Sequence, residues 1–259
     1  MMDSDQGVKI SVITVVFNAA KSIRLAMESV LCQMCPSDQY IVIDGGSTDG
    51  TRQILEEYKD RLAYWVSEPD GGIYDAMNKG LRHARGNVIG ILNADDTYFP
   101  GALQSVRQAF AKNPNAVLHG DIEVVDQGRV VDVWRGVNPV GVESQFRKMT
   151  INHPATFIPR RFYEKFGNYS LAYRLSSDYE LVLRLIVGGV PFVYLDRPLT
   201  RFSVGGSSGG ISTYRETLAI QRTYGRGYWD AQLWFSIAVL KMWLVKVLPA
   251  SVLRRLRSR

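Results

Sequence analysis

Two adjacent carboxylates, Asp95 and Asp96, follow an apolar run, 87–92, that is typical of a buried strand. Because consecutive side chains of an extended chain point to opposite sides, one carboxylate can face a ligand hydroxyl while the other holds a cation. Hard divalent ions such as Mg²⁺ or Mn²⁺ use few protein carboxylates and complete their shell with water and phosphate oxygens. The pair therefore predicts a site for a metal ion and a phosphorylated ligand. A pair that only caps a turn is the alternative.

Polar residues end all four apolar runs of the first half of the chain. The predicted strands are 10–17, 40–43, 62–66 and 87–92, followed respectively by Asn18, by Asp44, by Glu68 with Asp70, and by Asp95 with Asp96. Segments with helical spacing separate these strands, which predicts βαβ units and a parallel sheet between layers of helices. Since ligands bind outside the carboxyl ends of such strands, we expect the four polar loops to meet at one rim.

The second half of the chain is less regular. A hairpin is predicted over 117–134, and 138–152 is an irregular stretch that we interpret as a lid. Asp178 lies in the first turn of a helix predicted over 175–186. The sequence SSD at this point also fits a simple helix cap, so the residue types alone leave the role of Asp178 open.

The C-terminal segment carries the net charge of the chain. The formal charge is +6, from 31 basic and 25 acidic residues. Six basic residues and no acid follow Ala231: Lys241, Lys246, Arg254, Arg255, Arg257 and Arg259. The rest of the chain is nearly neutral, so we expect no nucleic-acid partner.

The same segment is apolar on most sides and contains two tryptophans, Trp234 and Trp243. Spanning a bilayer needs roughly 20 largely uncharged residues, and Lys241 and Lys246 interrupt this stretch. We therefore predict a helix that lies on an anionic membrane surface, with packing against the domain or spanning as alternatives. The N-terminus MMDSDQGVKI lacks the pattern of a signal peptide, which predicts a cytoplasmic location.

The two cysteines of the chain, Cys32 and Cys35, form a CxxC sequence. This spacing is compatible with a redox pair or with half of a zinc site. They lie near the predicted C-terminus of a helix, where the helix dipole disfavours a thiolate. We therefore interpret both as small apolar packing residues.

Glycine loops of the usual phosphate-binding kinds do not occur in the sequence. There is no GxGxxG after the first strand and no GxxxxGK[ST]. Dinucleotide-dependent oxidoreductases and P-loop enzymes are therefore disfavoured.

Five motifs, in this order, resemble the family 2 glycosyltransferases, above all the bacterial ones that build exopolysaccharide, capsule or lipid-linked glycans. They are ISVITVVFNAA, VIDGGSTDGT, SEPDGGIYDAMNKG, GILNADD and SSDYELVLRL. The resemblance implies a GT-A fold, with a Rossmann-like, mostly parallel sheet flanked by helices. It also implies a nucleotide-sugar donor, a divalent cation and inversion at the anomeric carbon. A UDP-sugar is the first expectation, with GDP- and dTDP-sugars as alternatives.

The expected domain organisation follows from the span of these motifs. The divisions are an N-terminal tail over 1–9, a catalytic domain over 10–205 and a C-terminal helical segment with a basic tail over 206–259. Within the catalytic domain we expect a nucleotide-sugar-binding half, 10–96, and an acceptor-binding half, 97–205.

The resemblance assigns roles to particular residues. Asp178 matches the catalytic base, Asp96 the metal ligand, Asp95 the ribose contact, and Thr14 and Asp44 the contacts to the nucleotide base. Further candidates for the nucleotide sugar are Phe17, Asn18, Asp70, Gly71, Asn78, Lys79 and Asn93. His153 is a candidate contact to the acceptor or the diphosphate.

The expected function is the transfer of one sugar to a glycan or lipid-linked acceptor at the cytoplasmic face of the membrane. The QxxRW motif of processive members is absent, because Gln221 and Arg222 are followed by TYG. A sugar-phosphate nucleotidyltransferase and a catalytically inactive membrane scaffold are the alternatives.

Overall fold

One mixed sheet forms the centre of the larger part of the chain. The computed structural model describes residues 7–147, 149–205 and 210–247. The strands are β1 (Ile10–Val16), β2 (Gln39–Asp44), β3 (Tyr64–Ser67), β4 (Val88–Asn93), β5 (Thr97–Tyr98), β6 (Val117–Asp126), β7 (Arg129–Trp134), β8 (Thr156–Pro159) and β9 (Phe192–Ser203). Their order within the described residues is β3-β2-β1-β4-β8-β6-β9-β5, and β7 pairs with β6.

Helices follow most of the strands. They are α1 (Ile23–Leu31), α2 (Thr51–Tyr58), α3 (Ile73–His83), α4 (Ala102–Lys112), α5 (Ser144–Arg147), α6 (Arg160–Phe166), α7 (Ser177–Val187), α8 (Ile211–Thr223) and α9 (Tyr228–Val247). The chain divides into two units, Met1–Gly206 and Ser207–Arg259, so that α1 to α7 belong to the first and α8 and α9 to the second.

The first four strands of the sheet are parallel, as predicted. All seven residues of β1 are buried, and β1 lies between β2 and β4. Alternate residues of β1 point to opposite faces: Val12 belongs to the core cluster that contains α1 and α2, and Ile13 to the cluster that contains α3 and α7. Helices therefore cover both faces of this half of the sheet.

The second half of the sheet runs in both directions. β8 is antiparallel to β4 and to β6, whereas β6 is parallel to β9. The predicted hairpin is present as β6 and β7. The stretch interpreted as a lid contains the short helix α5, and its buried Gln145 accepts a hydrogen bond from the Thr150 amide at 2.9 Å. The hydroxyl of Tyr179 donates to the carbonyl of Gln145 at 3.0 Å, which ties this stretch to α7.

The interpretation of the cysteines as packing residues is wrong. Cys32 and Cys35 follow α1, as expected, but both are exposed and neither forms a disulfide. The fully buried residues of α1 end at Val30, and among the residues that follow, Leu31 and Met34 pack against the core while the two thiols point outward.

The second unit presents an apolar stripe on α9. Trp229, Leu233, Ile237 and Leu240 are exposed, and their spacing places them within about 80° of the helix circumference. No helix of the part of the chain that the structure describes is long and apolar enough to cross a membrane. The predicted arginine cluster, which starts at Arg254, lies outside the described residues.

Candidate active site

The polar loops of the first half meet at one rim of the sheet. The parallel register places Asp44 beside Val16 on one side and beside Ser67 on the other, and it places Asn93 beside Val15. The carboxyl ends of β1, β2, β3 and β4 are therefore adjacent. Each strand passes directly into a polar loop at this edge.

Asp44 lies beneath the rim and organises three of these loops. It is fully buried, and its carboxylate accepts hydrogen bonds from the Ser47 hydroxyl at 2.5 Å, the Ser47 amide at 3.1 Å and the Ser67 hydroxyl at 2.6 Å. The hydroxyl of Ser47 accepts a bond from the Asn18 amide at 2.7 Å. Asp44 thus holds the ends of β1, β2 and β3 in a fixed relation.

Asn18 shapes the turn after β1. Its φ of 50° lies in the left-handed region, which asparagine tolerates better than most residues. Its side-chain oxygen accepts a hydrogen bond from the Thr48 amide at 2.9 Å. The side chain is therefore used to join the loops after β1 and β2.

Phe17 and Asp70 border the outer surface of the rim. The ring of Phe17 is 64% exposed. A Cβ atom on Gly45 would lie 2.6 Å from Oδ2 of Asp70 and 3.4 Å from the Phe17 ring, so only glycine leaves room for both side chains here. The bare backbone, the exposed ring and the carboxylate form a surface that can stack on a planar ligand ring and accept its polar hydrogens.

The loop after β3 is held in shape by its own side chains and by α3. Asp70 accepts the Gly72 amide at 2.8 Å, and Asp75 accepts the Gly71 amide at 3.0 Å. The ammonium of Lys79 donates to the Pro69 carbonyl at 2.9 Å and pairs with a carboxylate of the same loop. Lys79 therefore supports the loop instead of extending over the rim.

The two carboxylates after β4 have opposite environments. Asp95 is exposed, whereas Asp96 has no exposed surface. Asp96 accepts hydrogen bonds from the Ser203 amide at 3.0 Å and from the Asn93 side-chain amide at 3.2 Å. Burial, together with the negative charge of Asp95, raises the pKa of Asp96 to about 8.

The two carboxylates therefore differ in what they can offer a cation: Asp96, which the resemblance predicts as the metal ligand, is the buried one. The carboxyl group of Asp96 has no exposed surface, and its two oxygens accept hydrogen bonds from Ser203 and Asn93. The carboxylate that faces outward is that of Asp95. The two neighbouring side chains thus point in opposite directions, as the alternation along an extended chain predicts.

Asn93 provides a further group for a ligand at the end of β4. Its side-chain oxygen is buried and accepts no hydrogen bond from any residue that the structure describes. Buried polar atoms are nearly always paired, so an orphaned acceptor next to a surface carboxylate favours a ligand that supplies the missing donor.

Asp178 lies in the first turn of α7 and is partly buried. The side chain does not cap the helix, because the N-cap residue is Ser176 and no side-chain cap bond is present there. Instead, Oδ1 of Asp178 accepts a hydrogen bond from the Tyr74 hydroxyl at 2.7 Å. This bond joins α7 to the start of α3, directly after the loop that carries Asp70.

His153 lies beside the end of β4. The antiparallel register pairs Gly90 with Phe157, so the 3-10 turn His153–Ala155 comes next to the last residues of β4. Nε2 of His153 is 2.8 Å from the Tyr169 hydroxyl. Burial lowers the pKa of His153, and the nearby charge of Asp178 opposes that shift only in part, so the ring is neutral at neutral pH.

Besides Asp44 and Lys79, two further predicted contacts do not lie on the rim surface. Thr14 is fully buried, and its hydroxyl is 2.9 Å from that of Tyr40 within the core. Asn78 is also buried, and both ends of its side-chain amide bond the backbone of Tyr169, at 2.9 and 3.0 Å. Neither side chain is free to bind a nucleotide sugar, so the structure does not support these two predictions.

The sequence interpretation missed Tyr74, Tyr169 and Ser67. Tyr74 stands inside the motif SEPDGGIYDAMNKG, but a tyrosine at a helical core position carries no signal of its own. Its partner Asp178 is 104 positions away, and only the folded chain shows that the two meet.

Comparison with known proteins identifies the family. The model of the family described as Glycosyl transferase family 2 matches residues 11–169. The chain is 33% identical over 215 residues to Rv1514c of Mycobacterium tuberculosis, described as an uncharacterized glycosyltransferase, covering 82% of this chain and 79% of that protein. It is 27% identical over 179 residues to a PGL/p-HBAD biosynthesis glycosyltransferase of Mycobacterium bovis, covering 67% of this chain and 68% of that protein.

Solved structures share the fold. TarS 1-349 of S. aureus in complex with UDP-GlcNAc superposes with a TM-score of 0.67 at 17% identity, covering 89% of this chain and 71% of that one. The mannosyltransferase PcManGT of Pyrobaculum calidifontis, in complex with GDP-Man and Mn²⁺, gives 0.62 at 17% identity, covering 96% and 79%. The fold is therefore GT-A, as predicted. With the family model matching more than half of its length, the chain belongs to the family 2 glycosyltransferases and is a glycosyltransferase.

Proposed function

We propose that this glycosyltransferase moves one sugar from a nucleotide-sugar donor to a hydroxyl of a glycan or lipid-linked acceptor, with a divalent cation and with inversion at the anomeric carbon. A UDP-sugar is the first candidate donor. One observation carries the proposal: the carboxylate rim at the ends of β2 to β4 and Asp178 on α7 lie in the same unit, joined through Tyr74. The rim offers groups that can bind a nucleotide and a cation. Asp178 can accept the proton of an incoming acceptor hydroxyl.

The donor site is assigned to the surface around Gly45. Phe17 and Asp70 would hold the nucleotide base, and the orphaned oxygen of Asn93 would accept a ribose hydroxyl. Asp44 and Asn18 would act indirectly, by fixing the loops that form this surface. Support comes from the shared fold of TarS with UDP-GlcNAc and of PcManGT with GDP-Man.

We expect Gly45→Ala to weaken nucleotide binding about tenfold. The new methyl group would displace Asp70, whose Oδ2 lies 2.6 Å from the ideal Cβ position, while the flexible end of the carboxylate can move without disturbing the core. Isothermal titration with UDP and Mn²⁺ measures the affinity. Gly227→Ala is the matched control, because a Cβ there meets nothing within 4 Å. Equal affinities for both variants would show that Asp70 does not contribute to the donor site.

Asp95 is the residue that fits a divalent cation. Its carboxylate is the exposed member of the NADD sequence, and the described residues contain no cluster of three or more His, Cys, Asp or Glu side chains that could hold an ion alone. A site with one protein carboxylate suits Mg²⁺ or Mn²⁺, which take further oxygens from diphosphate and water. When bound, the cation would offset the negative charge that develops on the leaving nucleoside diphosphate. PcManGT was solved with Mn²⁺.

Asp178 is proposed as the general base. Its Oδ2 accepts no hydrogen bond from the described residues, so this oxygen can take the proton of the acceptor hydroxyl as that hydroxyl attacks the anomeric carbon. A base on the acceptor side and a leaving group on the donor side imply a single displacement. The product then has the inverted configuration, without a covalent intermediate on the enzyme.

The second unit is proposed to bind the cytoplasmic face of the bacterial membrane peripherally. The support is the exposed apolar stripe of α9 together with the basic residues of the C-terminal sequence. Tryptophan and leucine can enter the headgroup region while arginines attract anionic lipid. Docking would bring the catalytic unit close to a lipid-linked acceptor.

We expect Trp229→Ser with Leu233→Ser to weaken vesicle binding at least tenfold. Each side chain buried in the interface contributes on the order of 1 to 3 kcal/mol. Co-sedimentation with phosphatidylglycerol–phosphatidylcholine vesicles measures binding, and pure phosphatidylcholine vesicles show how much depends on charge. Leu25→Ser, which removes an exposed leucine of α1, is the control. Unchanged binding of the double variant would show that the stripe does not touch the membrane.

A thermal-shift panel followed by product analysis tests the proposed function. UDP-, GDP- and dTDP-sugars are added with and without Mn²⁺, and a donor should raise the midpoint of unfolding. Turnover should then release nucleoside diphosphate. Pyrophosphate released from a sugar phosphate and a nucleoside triphosphate would instead support a nucleotidyltransferase. If no nucleotide stabilises the protein, the donor site is wrong.

A further inference from the structure

Tyr74 connects the proposed base to the donor side of the enzyme. It is the second residue of α3, it is buried, and its hydroxyl donates to Oδ1 of Asp178 at 2.7 Å. The backbone amides of Ser177 and Asp178 act on the same hydroxyl, which therefore lies at the N-terminal end of α7. The proposed donor, cation and base roles belong to other side chains.

We propose that Tyr74 is a positioning residue for the transfer reaction. Its hydroxyl holds Oδ1 of Asp178, so that the carboxylate keeps one orientation and presents Oδ2 to the acceptor hydroxyl. The inference rests on the proposed function, because it requires Asp178 to be the base. It adds a residue on another helix that controls where that base points.

The ring of Tyr74 is itself fixed by neighbouring groups. It stacks on the ring of Tyr169, with centroids 5.5 Å apart and planes inclined by 23°. One turn further along α3, Asn78 bonds both the amide and the carbonyl of Tyr169. The hydroxyl of Tyr169 is in turn 2.8 Å from Nε2 of His153. The Tyr74 hydroxyl is therefore part of a packed cluster and not of a loose surface contact.

The protonation of Tyr74 suits this role. Burial, reinforced by the negative charge of Asp178, raises the pKa of Tyr74 far above its ordinary value. The hydroxyl therefore keeps its proton at neutral pH. It donates a hydrogen bond and does not compete with Asp178 for the acceptor proton.

The location of Tyr74 in the chain links two parts of the site. It follows Gly72 by two positions. The next residue, Asp75, accepts a hydrogen bond from the Gly71 amide in the loop after β3. The first turn of α3 thus sets both the shape of that loop and the orientation of Asp178. Removing only the hydroxyl should disturb the base and leave the loop intact.

Kinetics of Tyr74→Phe test the positioning role. This variant keeps the stacked ring and loses only the hydroxyl. Release of nucleoside diphosphate is measured with the donor selected by the thermal-shift panel. We expect kcat to fall about tenfold, while the KM for the donor stays within about twofold and the midpoint of unfolding is unchanged. Tyr64→Phe is the matched control, because Tyr64 lies at the amino end of β3 and stacks on His83.

A double variant and a crystal structure separate positioning from a merely structural role. If Tyr74 acts through Asp178, Tyr74→Phe should cause no further loss of kcat in an Asp178→Asn background. A crystal structure of Tyr74→Phe needs no substrate and should show Asp178 in more than one rotamer. A single unchanged rotamer would contradict the proposal.

The possible failures are distinguishable. Wild-type kcat in Tyr74→Phe, with Asp178→Asn strongly impaired, would overturn the positioning role and leave the base in place. Full activity in Asp178→Asn would show that Asp178 is not the general base, and the positioning role of Tyr74 would fail with it. A raised donor KM at unchanged kcat would assign Tyr74 to donor binding instead.

Discussion

Asp178→Asn should lower kcat by about a thousandfold, within the range that general-base catalysis contributes. Asparagine has almost the same shape, and its oxygen can still accept the hydrogen bond that the Tyr74 hydroxyl now donates to Oδ1 at 2.7 Å. The side chain therefore keeps its position but cannot accept a proton. The loss should fall on the chemical step, because no part of the donor surface around Gly45 is altered. Release of nucleoside diphosphate measures kcat, and titration with UDP and Mn²⁺ measures donor affinity.

Asp60→Asn is the matched control for this change. Asp60 is an exposed aspartate of the short 3-10 helix after α2, and its replacement should leave kcat within about twofold. Donor affinity should stay within about twofold in both variants. Full turnover by Asp178→Asn would contradict a base at this position. A loss of donor affinity as large as the loss of kcat would instead place Asp178 in the donor site.

The rim could be predicted from the sequence because it depends on connectivity. Apolar runs that alternate with helical segments imply a parallel sheet, and the residues after each run must then lie at one edge. Asp44, Asp70 and Asp95 come together for this reason alone. The second half follows no such rule: β8 and β9 enter the sheet in opposite directions, and their partners are fixed by long-range packing.

The directions of individual side chains show where local patterns stop being informative. The direction of Asp96 is set by the amide of Ser203 on β9, which lies 107 positions further along the chain. No feature of the sequence NADD predicts that contact. The same holds for Tyr74 and Asp178, whose pairing depends on how α7 packs against α3.

Thr14 and Asn78 are different, because periodicity within their own elements already indicated burial. Thr14 lies on the same face of β1 as Val12 and Val16, which both belong to the core cluster of α1 and α2. Asn78 lies one turn after Tyr74 on the buried face of α3. In both cases the side-chain direction, and not the resemblance to a family motif, agrees with the observed burial.

The acidic pair after β4 gives the second large expected effect. Asp95→Asn should lower kcat at least a hundredfold and abolish the part of the thermal shift with UDP that depends on Mn²⁺. A neutral amide is a poor ligand for a hard divalent ion, and the exposed carboxylate of Asp95 is the one proposed to hold it. Nucleotide titrations with and without Mn²⁺ separate the metal-dependent part of binding from the rest.

Asp96→Asn should retain activity within about threefold. The resemblance, which makes Asp96 the metal ligand, would instead predict the larger loss for this variant. Burial raises the pKa of Asp96 to about 8, which favours the protonated side chain at neutral pH when no cation is bound. An asparagine oxygen can still accept the Ser203 amide. The amide of Asn93 can rotate so that its orphaned oxygen accepts the new N–H group. Asp95→Asn and Asp96→Asn therefore serve as controls for each other.

Stability against pH provides an independent check on Asp96. A group with a raised pKa keeps its proton in the folded state up to about pH 8, whereas the unfolded chain loses it near pH 4. Ionisation in this window favours the unfolded state, so the contribution of Asp96 to stability should decline as the pH rises from about 4 to about 8, by up to about 1.4 kcal/mol per pH unit. Urea unfolding of the wild type and of Asp96→Asn at pH 5.5 and 7.5 should show this decline in the wild type only. If Asp96→Asn lost the Mn²⁺ dependence of nucleotide binding and kept the pH dependence of stability, Asp96 and not Asp95 would be the residue that holds the cation.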